Sequence, residues 1–186
     1  MLDGAGQRVD DPLLVVCTHG KRDRCCARYG RPLYDGLRDA VPEDWLWQST
    51  HLGGDRFAGN LVCLPEGLFF GRVGAEGAWT VLDEYLAGRV DLEHYRGRSS
   101  YSFPQQAAER AVREATGLRG LSDLRLVSSA AAGAAEWTVR FAAGAEVYET
   151  RVTREDGELM YLTCDAQELK HPRRFVATAA AAVSRS

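Results

Sequence analysis

Two loops dense in reactive side chains, each fed by a short apolar run, constrain this chain more than any other feature of its sequence. The first run, Leu13-Leu14-Val15-Val16, follows Pro12 and opens into a loop from Cys17 to Cys26 that holds three Cys, one His and four charged residues. The second, Trp45-Leu46-Trp47, leads to His51-Leu52-Gly53-Gly54-Asp55-Arg56-Phe57-Ala58-Gly59-Asn60. Apolar runs of this length before polar loops read as buried strands. Between them Leu33, Tyr34, Leu37 and Val41 recur at helical spacing, with Pro32 tolerable in a first turn. The spacing predicts a β-α-β unit with a right-handed crossover. In an open α/β layer, sites assemble at the carboxyl ends of the strands, and both loops begin there.

Leu61-Val62-Cys63-Leu64 and Leu68-Phe69-Phe70, separated by Pro65-Glu66-Gly67, carry a hairpin signature. Thr80 to Ala87 reads as a helix ended by Gly88. A β-α-β unit, a loop, a hairpin and a helix are what a thioredoxin-like α/β domain would produce, expected here over residues 1–100. From residue 101 to 186 the texture changes to a small C-terminal α+β extension. Its parts are a charged helix from Phe103 to Thr116, an Ala/Gly stretch from Ala130 to Ala135, and strand-like runs at Trp137–Phe141, Val147–Val152 and Leu159–Thr163. Asp156-Gly157 suggests a turn between the last two runs, and Ala177 to Val183 is too short to interpret.

Composition narrows the classes. Lys+Arg 23 against Asp+Glu 26 gives 23 − 26 = −3, which offers no electrostatic footprint for nucleic acid or an anionic membrane. No apolar run approaches the roughly 18 residues of a membrane span, and no signal peptide opens the chain. The expectation is a cytoplasmic protein. Five cysteines, an odd number without a secretory signal, argue against a disulfide framework and for metal or redox chemistry at the Cys17, Cys25, Cys26 cluster. Cys63, inside an apolar strand, and Cys164 read as packing residues. His19 reads as a loop-stabilising residue; His94 and His171 read as surface residues.

Thiolate and imidazole donors suit zinc, copper and iron–sulfur centres. The spacing Cys17-x8-Cys26 is too long for the knuckle of a structural zinc site, but a loop of that length can wrap a dinuclear cluster. The Gly-rich stretch from Gly53 to Gly59 lacks the G-x-x-x-x-G-K pattern of a phosphate cradle and its Lys, so nucleotide binding is not expected. No pair of carboxylates can be singled out for glycoside hydrolysis.

The segments Cys17–Cys26 and His51–Asn60, in that order and followed by the hairpin Leu61–Val73, resemble the paired signatures of the sucrase/ferredoxin-like family. The resemblance implies a thioredoxin-like [2Fe–2S] ferredoxin fold. It also implies a cluster held by Cys17 and Cys26 from the first loop and His51 from the second. The family's H-x-G-G-H segment reads H-L-G-G-D here, so its second histidine falls on Asp55. Three outcomes are open for the fourth position: Asp55 as a harder carboxylate ligand, Cys25 as a third thiolate, or water. Asp55 is the favoured one, because Gly53 and Gly54 give the turn the freedom to bring both its ends to one metal. Imidazole in place of thiolate raises a cluster's potential, and a carboxylate partly reverses that.

The function implied is a small electron carrier, with no catalytic residues and no sucrose hydrolysis. Its partner would be a redox protein the sequence does not identify, and a homodimer is compatible with the chain. Two competitors stand beside this reading. One is a thiol–disulfide redox protein using Cys17, Cys25 and Cys26, with Cys17 paired to one of its two neighbours. The other is a cluster-free binding module.

Overall fold

The computed structural model describes residues 11–21 and 24–183; residues 1–10 of the domain expected over 1–100 lie outside the described residues. The first half runs β1 (Leu13–Cys17), α1 (Arg24–Arg38), β2 (Leu46–Ser49), β3 (Leu61–Leu64), β4 (Leu68–Phe70), α2 (Ala75–Leu86) and β5 (Tyr95–Arg98). β1 pairs in parallel with β2, Leu14 facing Leu46, and antiparallel with β3, Leu14 facing Cys63. β3 and β4 form the expected hairpin, and the sheet order is β2-β1-β3-β4-β5. A β-α-β unit, a hairpin and a helix around this strand order make the thioredoxin-like arrangement.

Its core joins Leu14 and Val16 of β1 to Leu33 and Leu37 of α1 and Val81, Leu82 and Tyr85 of α2. α1 begins at Arg24, several residues ahead of the apolar periodicity, so Cys25 and Cys26 stand in its first turn rather than in a loop. α2 likewise starts ahead of the expected Thr80. Its buried positions, Ala78, Val81, Leu82 and Tyr85, begin one turn in. β5 was not legible as a strand because Tyr-Arg-Gly-Arg carries two charges and a glycine. It is one nonetheless, alternating buried Tyr95 and Gly97 with half-buried Arg96 and Arg98.

The second half holds α3 (Phe103–Thr116), stopped by Gly117 in the left-handed conformation, and a second sheet. That sheet is built from β6 (Arg125–Gly133), β7 (Glu136–Ala143), β8 (Glu146–Asp156), β9 (Arg173–Ala177) and β10 (Ala181–Val183). Its order is β10-β8-β7-β6, with β9 also paired to β8. Ala108 and Val112 of α3 pack on Val139, Phe141 and Val152 of the sheet. The expected strand Leu159–Thr163 is instead part of a long connection, tied by a single bridge between Met160 and Lys170. The reason is that β8 runs on to Asp156 and takes Arg173–Phe175 as its partner, so Asp156-Gly157 leads out of the sheet rather than back into it.

α3 is shared by both sheets through a buried polar network. Glu109, fully buried, accepts from Tyr95 Oη (2.8 Å), Arg98 Nε (3.3 Å) and Arg113 Nη2 (3.0 Å). Arg113, also fully buried, donates in addition to the carbonyls of Leu118 and Gly120. Buried charges require this kind of pairing. Among the described residues no helix is long and apolar enough to cross a membrane.

Candidate metal centre

β1 ends on Cys17, which is buried, and the chain returns two residues into α1 with Cys26, also buried. The helix sits unusually close to the strand end. A Cβ at Gly30 would lie 1.9 Å from the Cys17 carbonyl oxygen, so only glycine allows α1 to bring Cys26 down beside Cys17. Gly30→Ala is therefore expected to cost about 1–3 kcal/mol or more by overpacking. It should also loosen the Cys17–Cys26 pair, as read by urea unfolding and by faster thiol alkylation.

The second loop leaves β2 and turns at Gly53 and Gly54, both at positive φ (82° and 76°), before a short 3-10 turn from Asp55 to Phe57. That reversal carries Asp55 back beside His51, with His51 Nδ1 and Asp55 Oδ1 3.3 Å apart. Asn60, buried, donates to the Gly54 carbonyl (3.2 Å) and accepts from Arg96 (2.8 Å), which pins the loop to β5.

The two loops converge. The donor atoms of Cys17, Cys26 and His51 all lie within 4.8 Å of one another. Asp55 Oδ1 adds a fourth donor, 3.6 Å from Cys26 Sγ. Burial, then the neighbouring Cys17, then Asp55 push the Cys26 thiol well above the ordinary range for cysteine. His51 Nδ1 is buried and makes no hydrogen bond among the described residues, despite its nearness to the carboxylate. Two buried thiols, an orphaned imidazole nitrogen and a carboxylate make a donor set that fits a thiophilic metal.

Cys25 is not among these donors. It forms a disulfide with Cys164, 139 residues away, with a Cα–Cα distance of 5.4 Å. This corrects three expectations. Cys25 does not supply the fourth ligand, Cys164 is not simple packing, and the cysteine pairing does not join Cys17 to a neighbour. Geometry explains it: Cys26 faces β1 while Cys25, one residue earlier on α1, faces the connection between β8 and β9. Nothing in the spacing of two cysteines so far apart signals the pairing. Arg24 and Asp165 flank it at 3.5 Å. Cys164→Ser should lower stability by about 2–4 kcal/mol under oxidising conditions and by nearly nothing in strong reductant, as read by thermal unfolding in each buffer.

Cys63 is a buried core residue, and His19 stands apart from the donor group. His94, expected at the surface, is half-buried and held by Asp91 at 2.6 Å. His171 donates from Nδ1 to the Gly157 carbonyl (2.6 Å).

Residues 4–97, just over half of the chain, match the sucrase/ferredoxin-like family. The chain belongs to that family. The two segments that carry the candidate donors, and the hairpin after them, all lie inside the matched region. Curated relatives include the yeast "Altered inheritance of mitochondria protein 32" of Meyerozyma guilliermondii, 31% identical over 101 residues, covering 49% of this chain and 36% of that protein. The protein of the same name from Debaryomyces hansenii is 28% identical over 106 residues, covering 52% of this chain and 39% of its own length. Among solved structures, a thioredoxin-like [2Fe–2S] ferredoxin from Aquifex aeolicus overlays 50% of this chain and 96% of its own, with 13% identity and a TM-score of 0.43.

Proposed function

We propose that this chain is an electron carrier holding one [2Fe–2S] cluster through Cys17, Cys26 and His51, with Asp55 as the fourth ligand. The observation that carries the reading is the convergence of these four donors from the end of β1, the first turn of α1 and the loop after β2, three of them within 4.8 Å of one another. Such a cluster supplies reversible one-electron chemistry. The residues around it divide the work. Cys17 and Cys26 form the buried side and provide the thiolates. The side chains of His51 and Asp55, 25% and 20% exposed, form the side from which an electron could leave. The partner would be a redox protein approaching that side, in the cytoplasm.

Protein prepared anaerobically should show visible absorption that dithionite bleaches and ferricyanide restores. Bands that do not bleach reversibly would overturn electron transfer. Asp55→His replaces a carboxylate by a neutral ligand and should raise the midpoint potential. An unchanged potential and spectrum would make Asp55 a bystander.

A second reading has one observation behind it. Three donors within 4.8 Å of one another, two of them thiols, with Asp55 beside Cys26 and His51, also suit a single tetrahedral zinc ion, whose ligands stand about 2.0–2.3 Å from the metal. Metal analysis separates the two.

A further inference from the structure

A cleft of about 680 Å³ lies beside the metal-facing loop, where Gly54 to Phe57, Arg96 of β5, α3 and Arg173 to Phe175 of β9 meet. That is the size of a pocket for a small organic ligand. Its walls combine two chemistries. Arg56, Arg96, Arg173 and Arg174 line it, and among the described residues none of the four has a carboxylate within 4.0 Å. The fifth arginine, Arg110, is paired with Glu114 at 2.7 Å. In a chain of net charge −3, four guanidinium groups without an ion-pair partner outnumber the one carboxylate that lines the cleft, Asp55, and leave it locally positive.

Burial, helped by Arg56, lowers Arg96 to about 10, and burial with Arg72 and Arg174 lowers Arg56. Phe57 holds the inner end of the array by stacking under Arg96 (4.2 Å) and Arg56 (4.6 Å), which fixes the charges without neutralising them. The opposite wall is aromatic. Phe103, 65% exposed at the start of α3, faces Phe175 with ring centroids 5.6 Å apart.

We infer that this cleft binds a small organic phosphate carrying a planar ring, its phosphates on Arg96 and Arg174 and its ring against Phe103. Guanidinium forks match phosphate oxygens in geometry as well as charge. The absent G-x-x-x-x-G-K pattern bears on backbone cradles, not on a site built from arginine side chains. The inference rests on the arginines and the two rings, not on metal occupancy, although Asp55 of the donor group also lines the cleft.

Calorimetric titration of the full chain with ADP, inorganic pyrophosphate and adenosine tests it. The expected result is saturable one-to-one binding of ADP, tighter than that of either fragment. Arg174→Glu, on an exposed strand position, should weaken ADP and pyrophosphate at least tenfold. Phe103→Ala should bring ADP down to the level of pyrophosphate and leave pyrophosphate unchanged. No saturable binding of ADP, equal binding of ADP and pyrophosphate, indifference to Arg174→Glu, or binding only of an oligo-glutamate peptide would each overturn the inference.

Discussion

Glu109→Ala is expected to destabilise the chain by about 3–5 kcal/mol, the cost of breaking a buried ion pair from one side. Glu109 and Arg113 are both fully excluded from solvent, and the Arg98 side chain is 12% exposed. Removing the carboxylate leaves two guanidinium groups with only carbonyl acceptors, which satisfy hydrogen bonds but do not cancel charge. The Tyr95 hydroxyl loses its acceptor at the same time. Because these donors come from β5 and α3, the loss falls on the joint between the first sheet and the helix that packs on the second. Glu109→Gln keeps the shape and a carbonyl acceptor but not the charge, so it should fall between wild type and alanine. Urea unfolding measures all three, and a loss below about 1 kcal/mol for the alanine variant would show that Glu109 is not the counterion of this network.

Cys26→Ser has the second large effect, on metal rather than on fold. Serine keeps the volume of the side chain, but its hydroxyl does not ionise to give the anionic donor that a thiophilic metal needs. The expected result is loss of essentially all bound metal, and Cys17→Ser should do the same. Cys63→Ala is the control. That thiol is as deeply buried as Cys17 but stands in β3 outside the donor group, so its loss should leave metal content unchanged. Because metal binding and folding are coupled, the ligand variants should also lose the stabilisation that added metal gives the wild type. Metal retention in Cys26→Ser equal to wild type would remove Cys26 from the site.

β1, β3 and β4 were legible because they are continuous apolar runs between polar loops, whereas β2 is displaced to Leu46–Ser49, with Trp45 in the 3-10 turn ahead of it. Leu13–Val16 and Leu61–Leu64 could hardly be read otherwise. β5 and β6 escaped for opposite reasons. In β5 the arginines that look like loop residues are held by Asn60, Glu109 and the Leu121 carbonyl. β6 exposes most of its Ser- and Ala-rich length, so no alternation of apolar and polar residues marks it. Of the site, Cys17, Cys26, His51 and Asp55 were readable from two motifs. The Cys25–Cys164 link and the arginine cleft were not, because both join segments more than fifty residues apart and exist only once the second sheet lies beside the first.

Iron and acid-labile sulfide analysis of anaerobically purified protein, with zinc measured in the same samples, tests the central claim most directly. The proposed centre predicts iron and sulfide in equal amounts, about two of each per chain, with visible sulfur-to-iron charge-transfer bands that disappear in Cys26→Ser. Colourless protein that takes up neither iron nor sulfide on anaerobic reconstitution, or one that holds a single zinc ion on the same four residues, would contradict it.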